Sequence, residues 1–297
     1  MDRTNAPKIL YKYMPAETAL KVLQTQTIRF SDPKKFNDLY DSDVPIKLCV
    51  NRNLTSKDFI AMLEEFEKNP ELKLYLPAGI TLEKMKGLVK QYRYSINPVD
   101  HLNKILDNMR KNMRVLSLSS SRDNLLMWAH YSNNHKGIVI GFKRNSDLLK
   151  YATPVLYSKN IPVIDGKLLR DYKLSTKEAL RELQVLFQTK SLDWEYEQEW
   201  RCALDVVKRY EYCLRKNPNL KYQSSVLYKE LFCQKEFVHI PFYPEDVQSI
   251  YLGANINIID ENIIINIIRE NYPRVSIFKV SRNENKFMLD FKHIFDC

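Results

Sequence analysis

The spacing of apolar and polar positions predicts alternating short strands and helices along most of the chain. Ile9-Leu10-Tyr11-Lys12-Tyr13 reads as a first strand, and Ala16 to Leu23 carries apolar residues at helical spacing. Ile28-Arg29-Phe30 reads as a second strand, with Ser31-Asp32-Pro33 after it as a turn or helix start. Residues 45–112 read as an all-helical insertion. One helix starts at Thr55 and Asp58 with Met62, Leu63 and Phe66 as its stripe, a second follows Thr81, and a third runs from about Val99 to Met113. Val115 to Ser119 alternates as a half-buried strand does, Asp123 to Tyr131 is a short helix, and Gly137 to Phe142 is apolar enough to be a central strand. Val155 to Tyr157 is a further strand. Ser175 with Glu178 forms a capping box that opens a helix to about Thr189. Trp200 to Val207, Phe237 to Phe242 and Ser249 to Gly253 are strands, Asp260 caps a helix over Glu261 to Glu270, and Val275 to Val280 and Phe287 to Phe291 close the sheet. The expectation is a single α+β domain over residues 1–297, built on a mixed, strongly bent sheet or split β-core with flanking helices. The helical insertion at 45–112 lies to one side of a cleft.

Composition narrows this picture without naming a function. The chain has 297 residues, is 44% hydrophobic and 28% charged, and so is not a disordered polymer. It has only six glycines, and no G-x-G-x-x-G or phosphate-loop string is present. Eighteen tyrosines suit a thick core or stacking on rings. The net charge of +10 is either solubility charge on a lysine-rich surface or a sign of anionic partners, such as nucleic acid or a phosphate-bearing cofactor. Five cysteines without a CxxC pair suggest neither a disulfide framework nor a structural zinc site, and the five histidines include no H-x-x-x-H pair. No metal ligand set is assigned. Asp2 and Arg3 followed by polar residues are not the start of a signal peptide, and the apolar run from Ile256 to Ile268 is too short and too polar for a bilayer. The cytoplasm is the expected compartment, with no membrane partner.

Four strings concentrate chemistry. In the first, Asn37, Asp38, Asp41 and Ser42 crowd a loop after Arg29, and either organise their own backbone or hold a ligand. In the second, Ser117, Ser119, Ser120 and Ser121 end a strand, where hydroxyls bind a ribose or phosphate or else cap the next helix. The third is Met127-Trp128-Ala129-His130-Tyr131, in which Trp128 and Tyr131 share a helical face and His130 points elsewhere. His130 is a base or a hydrogen-bonded structural residue; no G-x-S-x-G elbow supplies it with a nucleophile. The fourth is Trp194-Glu195-Tyr196-Glu197-Gln198-Glu199-Trp200-Arg201. If it is extended, the three glutamates face one side together with Arg201, as a salt-bridge ladder, a ligand-gripping carboxylate or a metal carboxylate site.

Together the strings resemble a bacterial and phage family of unknown function, the domain-of-unknown-function family numbered 2971. The matching pieces are Tyr11 to Tyr13, Phe36 to Asp41, Ser117 to Ser119, Asn124 to Tyr131, Gly137 to Phe142 and Trp194 to Arg201. A second, more distant similarity is to the ADP-ribosyltransferase superfamily, whose members open with a strand, a helix, a short strand and an N-D loop. They place a small polar residue on a middle strand and a glutamate on a later one. That resemblance implies Lys12 or Tyr13 at the first-strand site, where histidine or arginine is usual. It implies Ser119 on the middle strand and Glu197 or Glu199 as the catalytic carboxylate.

What the resemblance implies is an ADP-ribosyltransferase-like enzyme that uses NAD to modify a macromolecular acceptor such as nucleic acid, in a toxin or phage-defence role beside a partner protein. Tyr11, Lys12, Tyr13, Arg29, Asn37, Asp38, Trp128, His130 and Tyr131 would surround the dinucleotide. Glu199, with Glu197 behind it, would stabilise positive charge at the ribose carbon. Two other readings stay open: a non-catalytic nucleic-acid-binding module, and a metal-dependent nuclease or hydrolase using Asp38, Asp41 and Glu199.

Overall fold

A computed structural model of the chain describes residues 6–41, 47–48, 54–68, 81–91, 95–96, 100, 103–104, 107, 110–164, 185, 187–205 and 236–296. The predicted helix opening at Ser175, Ser42, part of the insertion and residues 206–235 lie outside the described residues. The chain forms two compact units, one of Met1–Lys35, Asn112–Tyr157 and Leu192–Cys297, the other of Phe36–Lys111 and Ser158–Ser191.

The first unit is built on a ten-stranded mixed sheet. Its strands are β1 (Ile9–Met14), β2 (Thr27–Ser31), β3 (Met113–Ser119), β4 (Ile138–Lys143), β5 (Thr153–Pro154), β6 (Glu199–Asp205), β7 (Phe237–Pro241), β8 (Val247–Leu252), β9 (Ser276–Arg282) and β10 (Leu289–Asp296). The order is β7-β2-β3-β1-β4-β8-β9-β10, with β6 also on β3 and β5 on β6. Among the described residues of this sheet, β8 and β9 form the parallel pair. Helix Ile258–Asn271 links them, as a parallel pair requires a crossover.

One face of this sheet buries Leu10, Met14, Leu116, Leu118, Ile138, Ile140, Phe142, Ile250 and Leu252 against two helices, α1 (Ala16–Thr25) and Ile258–Asn271. Ala19, Val22 and Leu23 supply the inner stripe of α1; Ile264 and Ile268 supply that of the later helix. The Tyr272 hydroxyl donates to the Leu23 carbonyl at 2.7 Å and joins their ends. The cap of the later helix is Asn257, whose Oδ1 accepts from the Asp260 amide at 2.8 Å, rather than Asp260 itself. The opposite face is aromatic: Tyr11, Tyr13, Val139, Tyr251 and Val280 pack with Met127 and Trp128 of the short helix Leu125–Tyr131. β4 is buried at five of its six positions, as its unbroken apolar run requires of a central strand.

The sheet is split beside β3. Along one edge β3 pairs with β6 at all seven positions. Along its other edge β2 is paired through Ser31 with Val115, and β1 through Tyr11 with Ser119. Ser117 falls between those two pairings, and the Lys12 ammonium donates to its carbonyl at 2.8 Å. A lysine side chain thus satisfies a backbone acceptor at the place where the ladder opens.

In the second unit, helices Ser56–Lys68 and Leu82–Gln91 pack together. The Thr55 hydroxyl and amide both donate to Asp58, which fixes the first turn. The stretch read as all-helical also holds two-residue strands, with Leu54–Thr55 paired to Ser95–Ile96 and Lys47–Leu48 paired to Val163–Ile164. Among the described residues no helix is long and apolar enough to cross a membrane.

Candidate functional site

The site begins at the register of three neighbouring strands. Tyr11 of β1 lies opposite Ser119 of β3, and Ser119 lies opposite Glu199 of β6. One row across the sheet therefore carries a phenol, a hydroxyl and a carboxylate. Ser119 is wholly buried; its Oγ donates to the Glu197 carbonyl at 2.7 Å and accepts from the Ser121 amide at 3.0 Å. Glu199 and Arg201 are both nearly sealed and meet through two parallel bonds, Nε to Oε1 at 2.8 Å and a terminal guanidinium nitrogen to Oε2 at 2.9 Å. Such a fork balances a buried carboxylate well. The Glu199 amide donates to the Tyr157 hydroxyl at 2.7 Å.

The fourth string is not extended throughout. Leu192–Glu197 forms a 3-10 turn, Gln198 takes a left-handed conformation with φ 44°, and β6 begins at Glu199. The three glutamates consequently do not share a face: Glu195 is exposed, whereas Glu197 and Glu199 are buried. Period-two spacing of charges mimicked a strand, but a turn of three residues per rotation sends Glu195 outward. The serines of the second string secure this turn instead of capping the next helix. Besides the Ser119 bond, the Ser120 amide donates to the Gln198 carbonyl at 3.0 Å.

The helix Leu125–Tyr131 is capped by Asn124, which accepts from the amides of Leu126 and Met127. The Asn124 side-chain amide donates to the Tyr196 carbonyl at 3.0 Å, so one residue starts the helix and holds the 3-10 turn beside it. The Tyr131 hydroxyl donates to Glu197 Oε1. A chain of rings continues outward along the surface: Trp194 to Tyr196 at 6.1 Å between centroids, Tyr196 to His130 at 6.3 Å, and His130 to Tyr131 at 6.4 Å. His130 is exposed and Trp194, Tyr196 and Tyr131 are half-buried. Trp128 faces the interior with no exposure, and its indole N–H donates to the Arg122 carbonyl at 2.8 Å. It supports the wall rather than presenting a ring to a ligand. Tyr13 meets Trp128 edge-on at 5.5 Å and donates its hydroxyl to the Ser121 carbonyl.

Burial lowers the Lys12 ammonium below the usual lysine range; Glu199 and Glu197 pull it back up, and Arg29 opposes them. Arg29 is exposed on β2, with its guanidinium 4.3 Å from the Phe237 ring centre. The structure thus gathers Lys12, Ser119, Glu197, Glu199, His130 and Tyr131 within the first unit, around the junction of β1, β3 and β6.

Asn37 and Asp38 belong to the second unit. Asn37 is exposed, and Asp38 Oδ1 accepts from the Tyr40 amide at 3.0 Å, the Asx-turn that a self-organising loop predicts. Asp41 is buried 3.6 Å from the Lys190 ammonium. Among the described residues no three His, Cys, Asp or Glu side chains gather as a metal site.

Asn124, Tyr157, Arg122 and Tyr196 hold the site together although the sequence assigns none of them a site role. Arg122 donates to the Tyr251 hydroxyl at 2.7 Å and lies over the Tyr251 and Phe291 rings. Asn124 carried a local signal, an Asx residue immediately before an apolar helical run; the others depend on contacts between distant parts of the chain.

A mixed, split sheet with a carboxylate and ring cluster at its junction makes the first unit an α+β module. Residues 127–202 match the model of a family described as a protein of unknown function, DUF2971. The matched stretch takes in Trp128, His130, Tyr131, Glu197, Glu199 and Arg201. No curated protein and no solved structure matches the chain.

Proposed function

We propose that this protein is an ADP-ribosyltransferase-like enzyme that takes NAD and modifies a macromolecular acceptor. The observation that carries the reading is the row formed by Tyr11, Ser119 and Glu199 on adjacent strands, with Lys12 next to it at the split in the sheet. The distant resemblance names Lys12 or Tyr13, the neighbours of Tyr11 in β1, with Ser119 on the middle strand and Glu197 or Glu199 as the later carboxylate.

The roles follow from what each group already holds. Glu199 is clamped by Arg201 and positions the row. Glu197 is the carboxylate on the ring side, beneath the Tyr131 hydroxyl, and is the working group in this proposal. A swing of the half-buried Tyr131 would give a ligand access to it. Arg29, exposed and backed by Phe237, suits an anionic phosphate. Lys12 suits one less well, because its ammonium is desolvated and already spent on the Ser117 carbonyl. The dinucleotide supplies an activated ribosyl carbon, with neutral nicotinamide as the leaving group. The protein's part is to fix the acceptor, stabilise positive charge with Glu197 and accept the proton that the acceptor loses.

The test is incubation of the purified chain with NAD labelled in its adenylate, together with DNA, RNA and mixed protein as acceptors. Label on one macromolecular class, with nicotinamide released in equal amount, is the expected result. Absence of both nicotinamide and transferred label would remove the transferase reading.

A further inference from the structure

Strands β2 and β7 pair antiparallel, with His239 opposite Arg29 and Phe237 opposite Ser31. Ile28, Phe30, Val238 and Ile240 enter the core, so Arg29, Ser31, Phe237 and His239 share the other face. Arg29, Phe237 and His239 are exposed there. The Arg29 guanidinium lies 4.3 Å from the Phe237 ring centre, and its Nε donates to Ser31 Oγ at 3.1 Å. Two contacts thus fix its direction, while its terminal nitrogens meet no acceptor among the described residues. The His239 ring stands edge-on to Phe237 at 5.3 Å between centroids and is open to solvent. The acids beside this face are already engaged. Glu236 lies within electrostatic reach of Arg29 but pairs with Lys35 at 2.8 Å, and Asp32 Oδ1 accepts from the Lys34 amide. Lys12 adds a second positive charge within reach of Arg29. By the pairing of Ser31 with Val115, this is the face on which β3 carries Ser119 opposite Glu199.

We infer that this face binds single-stranded nucleic acid, with a phosphodiester on the terminal N–H groups of Arg29 and an adjoining base on the His239 ring. A guanidinium already fixed by a ring and a hydroxyl forks to two phosphate oxygens without losing further freedom. An exposed ring accepts any base by stacking, and a duplex, whose bases are already stacked, offers it none. The inference rests on the transfer reading only in naming its acceptor, to whose backbone the phosphate on Arg29 then belongs. Binding itself can stand or fail without transfer.

Binding is measured by fluorescence anisotropy without dinucleotide, using a short labelled oligothymidylate. Inorganic polyphosphate, polyglutamate and a DNA duplex, matched in total charge, serve as competitors. The expected result is that the oligothymidylate binds and that no competitor displaces it as readily as unlabelled oligothymidylate does. Arg29→Gln should weaken the oligothymidylate about tenfold and lower the slope of its log affinity against log salt by about 0.7. His239→Ala should weaken it about fivefold while leaving polyphosphate binding as it was. Both side chains are exposed, so unaltered melting temperatures should accompany these losses. No binding of oligothymidylate, a competitor as effective as oligothymidylate itself, or an Arg29→Gln or His239→Ala variant that binds like its parent would each overturn the inference. Nicotinamide release, assayed separately, reports on the transfer reading alone.

Discussion

Two regions a few residues apart in sequence use charge in opposite ways. Ser119, Glu199 and Arg201 are themselves buried, and each is joined to another group by short bonds. Around Trp194, Glu195, Tyr196 and His130 the side chains are half-buried or exposed. Glu197 lies where they meet, buried itself but bonded to the half-buried Tyr131. On the proposed reading, the difference separates architecture from working surface: the clamped Glu199 holds strands in register, and Glu197 carries the chemistry.

Replacing Arg201 by Leu is the most severe way to test that division. It removes the forked guanidinium from the buried Glu199 carboxylate and should cost about 3–5 kcal/mol in denaturant unfolding. A cost below about 1 kcal/mol would mean that Glu199 reaches water, and the two regions would no longer differ. Gly137→Ala probes the corner that carries the ring-bearing helix onto β4. A Cβ there would collide with the Met14 carbonyl oxygen, and the expected loss is about 1–3 kcal/mol by thermal melting.

His135 tests the inner wall by pH. Its ring stacks on Trp128, and burial lowers its pKa below the ordinary imidazole value of 6.5. The unfolded chain therefore binds a proton before the folded one does. Stability from this group is complete above pH 6.5 and is lost as pH falls through the lowered folded value. His135→Asn, which tolerates the observed φ of 63°, should flatten that acid limb in melts taken across the window. Glu195→Gln, on the outer surface, should change stability by no more than about 0.5 kcal/mol. A larger loss would assign Glu195 to the architecture.

Much of the fold is legible in the sequence because it follows from period alone. β1, α1 and β2 appear where the apolar spacing of residues 9–30 places them, and the unbroken run at 138–142 becomes the central β4. The 3-10 turn over Leu192–Glu197 is not legible, because alternating glutamates imitate a strand and the turn is secured by Ser119, 78 positions away. Lys12 gives no local sign of its role either. Its place at the opening of the sheet follows from how β1 and β2 share one edge of β3. Asp260 was a reasonable cap by composition, but Asn257 stands one turn earlier and takes the amide of Asp260 itself. Trp128 and Tyr131 share a helical side as their spacing implies, yet one is sealed and the other half-open. That distinction depends on what each meets across the sheet.

The most direct measurement is the initial rate of nicotinamide release from NAD by the wild-type chain and by Glu197→Gln, each with its melting temperature recorded. The account predicts release by the wild type, and a fall of about a hundredfold or more in the variant at an unchanged melting temperature. A wild type that releases nothing, or a Glu197→Gln variant as fast as its parent, would contradict it.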